Sequence, residues 1–217
     1  MLLVFQVYKS IFPKCSALVF AIGAFFATIS FAQAKAEIDV AHVNAIAATL
    51  PEHATGLGTP ITNRVAWQKL AAEPAFKNWL PAAHQQLAQP LPETSDELYL
   101  EFSRNGNRTR WQNIAFARRA RLNTFALAEC LENRGEFLPA LEHDIKAICA
   151  ETSWLYPAHD KKLGNFHGTS VDIDLGSSRL GWEMATLDYL LGDKLSKATR
   201  ELIHDNLQRR IFTPYRD

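Results

Sequence analysis

No excess of charge of either sign marks this chain: 23 basic and 23 acidic side chains leave it formally neutral. A dedicated nucleic-acid binder carries a basic excess, so that class is set aside. The sequence also holds no glycine-rich phosphate loop, no G-x-S-x-G elbow, no H-E-x-x-H and no C-x-x-C. Readings that depend on those motifs have no anchor here, and no metal or cofactor is expected. Strand-like alternation is missing throughout, which excludes a sheet-based domain. Cysteine is scarce, with three residues in 217. Cys15 falls in the apolar N-terminal run. Cys130 and Cys149 sit on two helices that turn near Gly135, so in an antiparallel hairpin they are displaced by about 13 Å along the axis. A disulfide needs Cα atoms within about 7 Å, so two buried free thiols are expected.

What is present begins with a leader. Lys9 and Lys14 precede the apolar run SALVFAIGAFFATISFA, and Ala32-Gln33-Ala34 supplies the small-x-small pattern of a cleavage site. Residues 1–34 therefore read as a secretory signal. An uncleaved anchor is the alternative, since the run nearly spans a bilayer. Either way the remainder is expected in the periplasm or secreted. A hydrophobic content of 47% excludes a disordered chain.

The rest reads as helix. Residues 35–93 look like an arm of short helices: one over 40–50 closed by Pro51, one capped by Thr62, and one with Pro74 in its first turn. Pro81, Pro90 and Pro92 divide the region. From residue 94 to residue 217 the texture changes to long helical hairpins. Ser95 caps SDELYLEF, Asn105-Gly106-Asn107 is a turn, and a helix runs from about Thr109 to Asn133. Its apolar residues lie on two sides, so it is expected to pack on both. A second helix covers about 136–151. Ser177 or Ser178 opens a third that Gly192 ends, and Ser196 caps a fourth. Such hairpins bury their inner faces by stacking. A closed ring of six needs on the order of 300 residues, so this chain is expected to be part of a longer array or a short one.

One stretch departs from that rhythm: ETSWLYPAHDKKLGNFHG, residues 151–168. Trp154, Tyr156 and Phe166 are candidates for stacking on sugar rings, or for anchoring the loop. His159-Asp160 is a candidate base and partner, or loop scaffold. His167 completes the substrate-facing set. Asp172 and Asp174, two apart, are candidates for acid–base work or, with Asp174 before a helix, for capping. Arg110, Arg118 and Arg121 suit an acidic polysaccharide, or acids on neighbouring helices.

The stretches ALAECLENRGEFLPALEHDIKAICAETSW, PAHD, VDIDLGSSRLGWEMATLDYLLGD and TRELIHDNLQRRIFTPY, in order from about Arg118 to Asp217, resemble the N-terminal helical domain of the heparinase II/III-like polysaccharide lyases. The resemblance implies an all-α fold of helical hairpins forming part of an incomplete α/α toroid. It implies β-elimination on a uronic-acid-containing polysaccharide, heparin-like or alginate-like, in which a Tyr or His takes the C5 proton. The family's Asn-Trp-Asn-like motif and its catalytic Tyr and His are not matched here. The expectation is therefore an N-terminal part that is inactive alone, with Trp154, Tyr156, His159, Asp160 and His167 as cleft wall. The alternatives are a non-catalytic helical protein that binds a glycan or a protein, and a glycoside hydrolase using Asp172 or Asp174.

Overall fold

The computed structural model describes residues 38–51 and 56–216. The signal-type segment over residues 1–34 lies outside them. The chain divides into two units, residues 1–53 and 54–217. In the first, α1 (Val40–Ala47) is capped by Asp39, whose carboxylate accepts the His42 N–H at 3.0 Å. None of its residues is buried.

The described residues of the second unit form helices and loops, with no strand among them. It runs α2 (Arg64–Ala71), α3 (Trp79–Leu87), α4 (Asp96–Asn105), α5 (Thr109–Glu132), α6 (Leu138–Cys149), α7 (Leu175–Leu191), α8 (Lys197–Leu207), a π-helical turn (Gln208–Phe212) and α9 (Thr213–Arg216). No helix among the described residues is long and apolar enough to cross a membrane.

Local chemistry explains most boundaries. Asn63, not Thr62, caps α2, accepting the Ala66 N–H at 3.2 Å. Pro81 does not break the chain; it sits in the first turn of α3, where a missing N–H costs nothing. Ser95 caps α4 through the Leu98 N–H. Asp174, rather than Ser177 or Ser178, begins α7: its carboxylate accepts the Ser177 N–H while the Ser177 hydroxyl accepts the Asp174 N–H. Asn133 at φ 57° and Gly135 at φ 78° end α5 and turn the chain into α6.

Two hairpins, α5–α6 and α7–α8, stack so that α5 meets α7 and α6 meets α8. The other side of α5 receives α2 and α3. The short helices from residue 64 onward thus belong to the same unit as the hairpins, and α5 is covered on both sides. Phe125, Phe137, Leu141, Ile145, Ile148, Leu180, Met184 and Ile203 fill the shared core. Gly181 has a packing reason: a Cβ there would lie 2.9 Å from Ile211. Cys130 and Cys149 are buried free thiols, raised by burial to about 12 and about 11.

Arginines tie these layers together. Arg121, 7% exposed, meets Asp144 at 2.9 Å and donates to the carbonyls of Gln86 and Gln89 at 2.8 and 3.1 Å, joining α6, α5 and the end of α3. Arg64 caps the C-terminus of α5 by donating to Cys130 O and Leu131 O at 2.8 and 3.0 Å. Arg210 reaches the end of α6 at Cys149 O, 3.5 Å away, and donates to Glu151 O and Thr152 O just beyond it, the last at 3.0 Å. Breaking a buried pair by removing one member leaves an uncompensated charge. Arg121→Ala is expected to lower stability by about 3 kcal/mol, read from the midpoint of urea unfolding.

Candidate functional site

The segment between α6 and α7 is built from the inside out. Asp160, 4% exposed, organises its first half. Its carboxylate accepts the Tyr99 hydroxyl at 3.1 Å, the Asn165 N–H at 3.2 Å and the Phe166 N–H at 2.8 Å. Burial, followed by the nearby Asp160 charge, pushes the Tyr99 hydroxyl well above its ordinary range. Leu163 stands at φ 57°, a conformation uncommon for a branched residue, and packs on the Tyr99–Trp111–Tyr156 cluster.

Asp172 and Asp174 organise the second half, each in its own network. Asp172 accepts from Asn165 Nδ2 at 2.5 Å and Ser170 Oγ at 3.0 Å. Asp174 Oδ2 accepts the Tyr156 N–H at 3.1 Å and lies 2.6 Å from His159 Nδ1. They do not act as a matched carboxylate pair. Burial alone would raise the Asp174 carboxyl; hydrogen bonds from Ser177, Tyr156 and His159 outweigh it and hold the group below the usual carboxylate range. Arg119 donates to Trp154 O and Gly176 O at 3.2 and 3.3 Å, pinning the loop to α5 and the start of α7. Gly176 leaves no room for a Cβ against the Tyr156 ring.

Of the five residues read as substrate-facing, three are turned inward. Trp154 is 2% exposed and donates its indole N–H to Ile148 O at 3.1 Å. Tyr156 and Asp160 are likewise buried. They scaffold the loop and present no open face for stacking. His159 and His167 remain exposed. The adjacent His159 and Asp160 do not pair; His159 pairs with Asp174, leaving Nε2 without a protein partner among the described residues. An imidazole oriented through Nδ1 by a fixed carboxylate is suited to carrying a proton at Nε2.

An aromatic row connects this dyad to a cavity. Ring centroids are 5.8 Å apart for His159–Tyr156, 6.0 Å for Tyr156–Trp111, 5.8 Å for Trp111–Tyr99 and 5.4 Å for Tyr99–Phe166. The cavity, about 250 Å³, opens where Tyr99, Trp111 and Phe166 meet Ser95, Asp96, Glu151 and Ser153. Burial raises the Glu151 carboxyl against the pull of Arg118, whose Nε lies at 3.0 Å. Ser95 also borders a second hollow that holds Glu101, Arg104 and Arg110, so the two share a wall. Arg118 and Arg121 are buried in protein ion pairs and do not face a ligand.

Tyr99, Trp111 and Glu151 are absent from the sequence-based set. For Tyr99 and Trp111 the signal was the Asn-Gly-Asn turn: a tight turn between α4 and α5 brings flanking aromatics together; Glu151, just past α6, carried none. No family model matches the chain, and no curated relative matches it.

The low Asp174 pKa has a definite consequence for acid stability. The folded protein keeps this carboxylate ionised at pH values where the unfolded chain, near 3.9, has taken up a proton. Its contribution is full above the unfolded pKa and is lost as pH falls through the folded one. Asp174→Ala, which removes the cap, is expected to cost about 1 kcal/mol at neutral pH. It should also flatten the wild-type loss of stability in acid, read from urea midpoints along a descending pH series.

Proposed function

We propose that this chain is the helical, glycan-holding part of an exported polysaccharide lyase of the heparinase II/III-like type, acting on a uronic-acid-containing polysaccharide. The observation that carries this reading is the cavity bounded by Tyr99, Trp111 and Phe166 with a polar rim of Ser95, Asp96, Glu151 and Ser153. Sugar rings offer C–H faces to aromatics and hydroxyls to a polar rim, and this cavity supplies both. The neighbouring hollow adds Arg104, which donates to Glu97 O, and Arg110, which pairs with Glu101 at 3.1 Å; their remaining N–H groups suit the carboxylates of an extended uronate chain.

Two further features fit. His159, oriented by Asp174, is an exposed imidazole next to the aromatic row whose Nε2 is suited to carrying a proton. Trp182, Phe212 and Tyr215 are exposed at 57%, 51% and 83%. They lie on the α7–α9 side, where a further hairpin of a toroid would cover them. The same exposed side chains favour the second reading, a non-catalytic helical protein that binds a glycan or a protein partner.

Binding of size-defined oligouronates by calorimetry tests the proposal. Phe166→Ala is expected to weaken binding about tenfold, near 1.4 kcal/mol, with Arg104→Ala adding a salt-dependent loss. The chain alone is expected to release no unsaturated uronate. Failure to bind any uronate oligomer would sink the glycan reading. Release of unsaturated product by the chain alone would show that its catalytic groups lie within it.

A further inference from the structure

Away from the loop, three side chains from separate segments converge. His84 lies on α3, Glu132 ends α5, and Glu136 stands in the turn before α6. Their ligand-type atoms all lie within 4.8 Å of one another, the one such group among the described residues. His84 Nδ1 is 3.3 Å from Glu136 Oε1. The His84 ring packs on Phe137, centroids 5.1 Å apart, which fixes its direction.

The turn carrying Glu136 is fixed as well. The fully buried Glu129 accepts the Gly135 N–H at 2.7 Å and the Phe137 N–H at 3.3 Å. These contacts place Glu136 between two backbone anchors.

The distinguishing observation is on Glu132. Its Oε2 is sealed from solvent and has no hydrogen-bond donor. Its other oxygen has only Arg134, a largely exposed side chain whose Nη1 stands 3.8 Å away. A carboxylate oxygen that has lost its water and gained no donor is rare in a folded protein. Glu132 also contributes one of the three clustered ligand atoms, so a cation held there would compensate this poorly paired carboxylate.

We propose that His84, Glu132 and Glu136 form a binding site for one transition-metal dication of the zinc type. One imidazole with two carboxylates is a donor set for zinc and its neighbours; calcium and magnesium take oxygen alone. Bond lengths of about 2.0–2.2 Å require the three ligand atoms to draw together slightly. The exposed Glu136 side chain makes that movement by rotation. Water fills the remaining position. The ion clips α3 to the α5–α6 turn, two segments otherwise joined there by packing and a solvent-exposed ion pair.

The test uses the purified chain, without a polyhistidine tag and stripped by chelator. Zn²⁺ is titrated by calorimetry, and Co²⁺ by its visible absorption. One equivalent is expected to bind, with zinc raising the melting temperature. His84→Gln and Glu132→Gln are each expected to weaken binding at least ~10-fold and to abolish the thermal shift. Glu136→Gln, at an exposed position, is the control that leaves the apo fold intact and still weakens binding. No uptake of zinc, or uptake that all three substitutions leave unchanged, overturns the site.

Discussion

A guanidinium taken out of water must find acceptors, and in this unit they are buried carboxylates and the carbonyls of helix ends and loops. Arg64 holds the C-terminus of α5, Arg210 that of α6 and the turn beyond it, and Arg121 the end of α3 together with Asp144. Arg119 holds the carbonyls of Trp154 and Gly176. Each contact satisfies two needs at once: a buried cation gains partners, and unpaired carbonyls at a helix terminus or loop gain donors. α5 stands at the centre of this arrangement because it has a neighbour on each side. The arginines are the struts that keep those layers in register.

The segment between α6 and α7 depends on the same logic with the charge reversed. Asp160 and Asp174 gather N–H and hydroxyl donors from a stretch that has no regular secondary structure to supply acceptors. Irregular backbone is thereby held without a ladder or helix. Trp154 and Tyr156 are consumed as anchors for this scaffold. The side chains the scaffold leaves accessible are Phe166, half-buried at the cavity, and the exposed His159 and His167.

That division between scaffold and surface shapes the functional reading. A cavity walled by aromatics is linked by a row of rings to a carboxylate-oriented imidazole; in the proposed reading the first would take sugar faces and the second would move a proton. The groups come from α4, α5 and the loop, so the site exists only once the loop is pinned by Arg119. The His84–Glu132–Glu136 cluster sits in a different part of the unit and concerns how α3 is fastened rather than how a ligand is held.

Helical character, the hairpin turns at Asn133–Gly135 and Gly192, the caps at Ser95 and Ser196, and the free thiols were all legible in the residues. They rest on local propensity, capping chemistry and helix length, which act over a few residues. The two-sided burial of α5 was legible too, since its apolar residues occupy two faces. The partners were not. That His159 pairs with Asp174 instead of its neighbour Asp160, and that Trp154 turns inward while Phe166 meets Tyr99 and Trp111, follow from the path of a long loop. So does the meeting of His84 with two glutamates far along the chain. Sequence spacing determines which face of a helix a residue occupies. Only the packing of helices against one another decides which faces meet, because that choice minimises buried unpaired groups across the whole unit rather than within any one segment.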